Sequence, residues 1–337
     1  MRICYLLPIL QPKLPAAEAL SQEISALRQQ LGGDLLYLNP NAHLPLPIPR
    51  LFFGWHLLPA LWQRARALDL YHFYNPEPFA YPVLRWLGRP VIYSLTGSVP
   101  AQRPNVAYFN ALAAVTVLDE VSRDRLLQWG VRNVYLVRPG IAVERFTHQP
   151  LPWVAGGQSR LLMASAPWTH DQFASKGIDA LLAAAQRRPN LHLTFLWRGL
   201  LAAEMQARVA QLRLQQQVQV IDQLVDVNQV LAGVHAAVVL ATHGTLVKAY
   251  PHSLLDALAA GKPVLISRAL PMASYVESTG CGTVVEAVNV EALLAALDQL
   301  LNHYATTQQV AQSVGQRDFT EAKMVARYRE VYIEALL

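Results

Sequence analysis

The residues best suited to chemistry in this chain gather around two lysines, Lys176 and Lys248. Lys248 opens the stretch Lys248-Ala249-Tyr250-Pro251-His252-Ser253-Leu254-Leu255-Asp256-Ala257-Leu258-Ala259-Ala260-Gly261-Lys262-Pro263-Val264. The apolar run Ala236–Leu240 upstream reads as a buried strand that enters a loop, and the loop enters a helix near His252-Ser253. Pro251 suits a first turn, and Ser253 suits a cap over free backbone N–H groups. A helix N-terminus facing a cleft is a natural seat for a diphosphate. Asp256, one turn further on, can accept hydrogen bonds from neutral hydroxyls such as those of a ribose. Gly261 ends the helix and Pro263-Val264 opens the next strand. Lys176, in Ser175-Lys176-Gly177-Ile178-Asp179, stands before another helix start.

Those lysines are scarce. The chain has five, Lys13, Lys176, Lys248, Lys262 and Lys323, beside 23 arginines. Its 337 residues exceed one ordinary core, so two domains are expected. Apolar residues make up 53% and charged ones 15%, which excludes disorder. No apolar run is long enough to span a membrane. The start, Met1 to Leu7, reads as a buried strand and not as a signal peptide. Cys4 and Cys281 share no paired spacing, so disulfide and zinc frameworks are not expected, and a cytoplasmic protein is.

Other chemistries lose support for want of their motifs. The chain has no G-x-G-x-x-G, no G-x-x-x-x-G-K-[ST], no G-x-S-x-G and no Asp-X-Asp, and its ten histidines lack metal-binding spacing. No metal is assigned. No basic run interleaved with aromatics suggests nucleic acid as a partner.

Short apolar runs alternate with helical patterns throughout, the mark of parallel sheets wrapped by helices. In the first half the expected strands are 2–7, 35–38, 70–73, 91–94, 114–118 and 134–137, with a helix over 17–31. The second half repeats the pattern with strands 161–164, 191–197, 218–221, 236–240, 263–266 and 282–285. Helices are expected there over 178–186, 200–212, 227–234, 253–260 and 290–302. The prolines and glycines between Gln149 and Gly157 mark the best linker. The expectation is an α/β chain of two Rossmann-like, doubly wound domains facing a cleft, residues 1–150 and 155–317, with a ligand at the strands' carboxyl ends.

The Lys248–Val264 stretch resembles the donor-site signature of the family-4 retaining glycosyltransferases, in which two glutamates and an aromatic precede an Ala-x-Ala-Gly-x-Pro-Val run. The flanks are similar in order. Ser175-Lys176-Gly177-Ile178 resembles the family's Lys-Gly motif, and Arg138-Pro139-Gly140-Ile141 through Arg145-Phe146 its Pro-Gly stretch. Asp69-Leu70-Tyr71-His72 and Arg89 to Ser94 match an early strand pair. Phe319 to Tyr332 resembles the closing helix that crosses back onto the first domain, here 318–337.

The resemblance implies the glycosyltransferase B-type fold, with an N-terminal acceptor domain and a C-terminal domain for a nucleotide diphosphate-sugar. It implies transfer with retention and without a metal or other cofactor, to a sugar, lipid-linked or small-molecule acceptor. Carried over, Lys176 contacts the donor diphosphate and Asp256 the ribose, backbone N–H groups around Ser253, Leu254 and Leu255 cradle phosphate, and Pro251 and His252 belong to the same substrate-binding stretch. Three positions depart from the family. Lys248 replaces the first glutamate, and Thr96, in Thr96-Gly97-Ser98, replaces a histidine. Ala164 to Trp168 lacks the usual arginine, for which Arg198 is the candidate substitute. These departures favour the alternative of a non-catalytic nucleotide-sugar binder or an inactive subunit of a glycosyltransferase complex.

One stretch stands outside that match. Leu51 to Arg66 is aromatic and ends in two arginines. It reads either as a core-packed helix with one solvent-facing end or as an element for peripheral contact with the inner face of a membrane.

Overall fold

The computed structural model describes residues 1–12, 14, 18–42, 46–197 and 199–337. The chain divides into two units, Met1–Ile141 with Glu321–Leu337, and Ala142–Thr320. In the first, strands β1 (Ile3–Leu7), β2 (Asp34–Tyr37), β3 (Leu70–Asn75), β4 (Val91–Leu95), β5 (Ala114–Val117) and β6 (Val134–Leu136) form one sheet in the order β2-β1-β3-β4-β5-β6. All pairings are parallel. Every residue of β1, β3, β4 and β5 is buried, because helices cover both faces of such a sheet. This is why those strands read as mostly apolar runs, broken only at His72, Asn75, Ser94 and Thr116.

The second unit holds β7 (Ser159–Met163), β8 (Leu191–Leu196), β9 (Val218–Ile221), β10 (Ala236–Val239), β11 (Val264–Ser267) and β12 (Gly282–Val285). Their order is β12-β11-β10-β7-β8-β9, again all parallel. Winding therefore reverses between β7 and β10, and the crevice at the carboxyl ends of those two strands is where open α/β sheets hold ligands. All twelve expected strands are present, displaced by at most two residues at an end. The expected helices are present too. The one expected from Ala17 is Ala19–Leu31, and Ala17 lies outside the described residues.

The Gln149–Gly157 break lies inside the second unit and not at its border. The buried ammonium of Lys262 donates to the Gln149 carbonyl at 2.8 Å, and Thr147 N–H donates to Asn228 Oδ1 at 3.1 Å. These bonds fasten the segment to its own unit, and the crossings fall at 141/142 and 320/321. The closing helix, Glu321–Leu336, packs into the first unit. There Tyr332 and Ser94 hydrogen-bond the two ring nitrogens of buried His72, and the Tyr328 hydroxyl lies 3.1 Å from Ser94 Oγ.

Leu51 to Arg66 is two single turns, Arg50–Phe52 and Trp55–Leu57, followed by the helix Leu58–Ala65. Phe53, Leu58, Leu61 and Ala65 enter the core, while Leu51, Phe52, Trp55 and Trp62 remain exposed. Among the described residues no helix is long and apolar enough to cross a membrane.

One helix pair fixes the part of the second unit that matters most below. Helix Tyr304–Asp318 crosses helix His252–Ala259 at Gly315, where an added Cβ would lie 2.1 Å from the Leu258 carbonyl. On helix propensity alone Gly315→Ala would stabilise by about 1 kcal/mol. Backbone cannot yield as a side chain can, so the clash is expected to win, with a net loss of roughly 1–3 kcal/mol. Thermal unfolding checks the sign: a variant that melts above the wild type would show that the helices can part.

Candidate functional site

The second sheet's crevice is built by the connection that follows β7. After Met163 the chain runs through 164–171, makes the short helix Gln172–Ser175, and turns at Lys176-Gly177 into helix Ile178–Arg187. Gly177 has φ +69°, and a Cβ there would sit 2.6 Å from the Leu240 side chain just beyond β10. Glycine is thus required twice, by conformation and by space. Thr242 N–H donates to the Ser175 carbonyl at 2.9 Å, which ties the loops after β7 and β10 together.

At this junction the Lys176 ammonium donates to the Ala166 carbonyl at 2.6 Å. The residue is only 3% exposed, and burial pushes its pKa down to about 8. An ammonium has three N–H groups, and this is its one hydrogen bond among the described residues. The neighbouring Ser175 Oγ is buried without a partner. Loss of hydration with so little replacement, beside the unpartnered Ser175 hydroxyl, makes Lys176 a candidate for contact with a ligand.

The loop after β10 continues through Lys248 into helix His252–Ala259. Ala249 and Tyr250 anchor it. The Ala249 carbonyl accepts from Met272 N–H at 3.3 Å, and the Tyr250 ring packs against Tyr275 and Phe319. Lys248, just before them, is half-buried and makes no hydrogen bond or ion pair with another described residue.

Pro251 occupies the N-cap with φ −67° and ψ 125°, so Ser253 lies within the first turn and is not the cap. The amides of Leu254 and Leu255 both donate to the Pro251 carbonyl, at 2.9 and 3.2 Å, and their side chains fill the core. The expected cradle of amides from Ser253 to Leu255 is therefore narrower. The Ser253 amide has no partner among the described residues, whereas those of Leu254 and Leu255 are committed.

Asp256 is half-buried, with protein crowding its carboxylate. Desolvation pushes its pKa up to about 6, against the opposing pull of His252 and Arg145. No side-chain hydrogen bond to a described residue holds it. Arg145 was visible in the Pro-Gly stretch, but nothing in its spacing signalled an electrostatic link to a helix more than a hundred residues on.

Thr96 and Gly97 lie in the first unit. Buried Thr96 donates its N–H to the Asn75 carbonyl at 2.9 Å, and Gly97 donates to Pro76 at 3.1 Å. A Cβ on Gly97 would meet the Pro76 carbonyl oxygen at 2.6 Å, so close backbone approach alone explains this glycine. Arg198 lies outside the described residues. The structure thus gathers Lys176, Lys248 and the helix from Pro251 to Asp256 on two linked connections of one unit, and leaves Thr96 and Gly97 on the other.

Residues 171–316 match the family model described as glycosyl transferases, group 1, a match that falls wholly within the second unit. No curated protein matches the chain in sequence. Solved structures resemble it over nearly its whole length. HepE of Anabaena, in complex with UDP, is 15% identical with a TM-score of 0.71, over 98% of this chain and 99% of that one. A glycosyltransferase from Rickettsia africae is 14% identical with a TM-score of 0.74, over 99% and 98%. Sucrose-phosphate synthase from Thermosynechococcus elongatus is 17% identical with a TM-score of 0.72, over the same shares. At these identities the likeness shows the fold, which is the glycosyltransferase B type.

Lys176 offers a test of its own. Lys176→Met keeps the stem and removes the charge, so at pH 7 it is expected to stabilise the chain by about 1 kcal/mol despite the lost bond to Ala166. The folded pKa is depressed, so the unfolded chain binds more protons above pH 8 and the wild type's penalty shrinks as pH rises. The gain in melting temperature should therefore diminish between pH 8 and 10. A destabilised Lys176→Met across that range would make Lys176 a structural lysine.

Proposed function

We propose that this chain transfers a sugar from a nucleotide diphosphate-sugar to a sugar, lipid-linked or small-molecule acceptor, in the manner of the family-4 retaining glycosyltransferases. The observation that carries the reading is Lys176, an ammonium buried with donors to spare at the crevice where such sheets hold nucleotides. Its natural partner is an anion. A departing diphosphate supplies one, and its charge grows as the glycosidic bond breaks, so a fixed cation stabilises the transition state more than the ground state.

On this reading Lys176 meets the diphosphate, the Ser253 amide meets a phosphate oxygen, and Asp256 accepts from the ribose hydroxyls. The first unit supplies the acceptor side, with Thr96 and Gly97 at a strand's carboxyl end. Lys248 faces an anionic group, either a donor phosphate or a sugar carboxylate, since an ammonium can only donate. Transfer proceeds with retention and needs no metal, because lysine and helix amides take the task a cation performs elsewhere. The setting is cytoplasmic. The neighbouring HepE has been crystallised with UDP and with UDP-glucose, which makes uridine nucleotides the first donors to try. Lys248, in place of an acceptor carboxylate, also favours a second reading, a binder or inactive subunit that takes up nucleotide-sugar without turnover.

Titration calorimetry with UDP checks the central assignment. Lys176→Ala is expected to weaken binding by roughly 1.5–3 kcal/mol, the range for a hydrogen bond to a charged group. Lys176 must be protonated to meet the anion, so wild-type affinity should be level below pH 8 and fall about tenfold per unit above it. Equal affinities for wild type and variant would remove Lys176 from the site.

A second assay concerns Lys248. With EDTA present throughout, wild-type transfer is expected to persist, Lys248→Glu to lose donor affinity through like-charge repulsion, and Lys248→Ala to lose less. Transfer that returns only with manganese would end the metal-free reading. A Lys248→Glu enzyme as good as wild type would make the lysine a spectator.

A further inference from the structure

The first unit carries the whole of the chain's net charge. It has 16 Lys and Arg against 11 Asp and Glu, whereas the second unit has 12 of each. One surface of that unit combines unpaired arginines with exposed tryptophans. Trp62, on helix Leu58–Ala65, donates its indole N–H to the carbonyl of Trp86, the last residue of the single-turn helix Pro82–Trp86. Both are open to water, at 49% and 58% exposure. Arg89 donates from Nε to the Ala65 carbonyl at 2.7 Å, which brings it to the end of the same helix.

Arg85 and Arg89 then line a groove of about 550 Å³ with Gly88, Pro90 and the start of β4. Arg66, one turn beyond Trp62, is exposed as well. Arg64 is ion-paired, with Asp34, but Arg66, Arg85 and Arg89 have no acidic partner among the described residues. The groove opens at the amino end of β4, the opposite end from Thr96 and Gly97, so it is no part of the site above.

A lone exposed tryptophan needs no explanation. Two linked tryptophans beside three unneutralised arginines and a groove fit a surface that is apolar and anionic at once. Indole rings settle at the headgroup level of a bilayer, and guanidinium groups bind phosphate in two-pronged fashion. We propose that this face docks on an anionic lipid bilayer, with Trp62 and Trp86 in the headgroup layer and the Arg85–Arg89 groove on a lipid phosphate. An uncharged apolar partner would leave the arginines unpaired, and a purely acidic one would leave the indoles in water.

The test needs no sugar substrate, so its outcome is separate from that of the transferase reading. The full chain is mixed with vesicles of phosphatidylcholine alone or with added phosphatidylglycerol, then followed by co-sedimentation and tryptophan fluorescence. Binding is expected to the anionic vesicles only, weakened by salt and accompanied by a blue shift. Arg66→Glu with Arg85→Glu should lower binding about tenfold or more. Trp62→Ser with Trp86→Ser should weaken it and shrink the blue shift. All four residues are exposed, and unchanged melting temperatures check that both variants fold. No binding to anionic vesicles at low salt overturns the proposal, as does binding that neither variant weakens. Full displacement by millimolar glycerol phosphate would assign the groove to a small phosphoester and overturn the bilayer.

Discussion

The bond from Lys176 to the Ala166 carbonyl is the constraint around which the second unit's crevice is organised. An ammonium with almost no exposure has given up most of its hydration, and one carbonyl restores little of it. The chain holds the group there by geometry. Gly177 turns through a left-handed conformation against Leu240, and the Ser175 carbonyl is pinned by Thr242 N–H. Before the turn, Phe173 lies 3.8 Å beneath the Arg208 guanidinium, which also reaches Asp179 in the following helix at 2.8 Å. Arg208 thus spans the turn, packing on the residue before it and pairing with the helix after it.

Asp256 experiences the same environment with the opposite sign. Burial raises its pKa while it lowers that of Lys176, so both groups are driven toward neutrality by the want of water. They do not rescue each other. Asp256 feels His252 and Arg145, and Lys176 feels only its desolvation. On the proposed reading, one ligand presents an anion to Lys176 and hydroxyl donors to Asp256. The helix bearing Asp256 is itself fixed by the backbone contact at Gly315.

The architecture was legible because its signal is local. A strand such as β1, buried along its whole length, announces itself as an apolar run. The Gly177 turn and the helix after Pro251 follow from residue types alone. What escaped was tertiary. Pro251 takes the cap that Ser253 seemed to offer, since its carbonyl already receives the Leu254 and Leu255 amides. The Gln149–Gly157 break has the composition of a linker, yet Lys262 buries its ammonium on the Gln149 carbonyl and holds the segment down. Neither the Ala166 carbonyl nor Arg145 has any mark in its own sequence that predicts its part.

Arginine and lysine divide their work in the second unit. Among the described residues, Arg187, Arg188, Arg208, Arg268 and Arg317 each pair with an acid, and none of Lys176, Lys248 and Lys262 does. Guanidinium forks match carboxylates in two-pronged geometry, whereas an ammonium is a compact charge whose pKa yields to burial. Most of those arginine pairs are exposed and add little to stability. Their consequence is electrostatic: they cancel the acids, so the unit has no net charge to draw an anion from afar. On the proposed reading, attraction in the crevice comes from local charges, Lys176 and Lys248 together with Arg145 beside Asp256. It acts over roughly the 8 Å that physiological salt allows to exposed charges and persists more strongly at buried Lys176. An anion bound there as proposed would be recognised by contact and not by long-range steering.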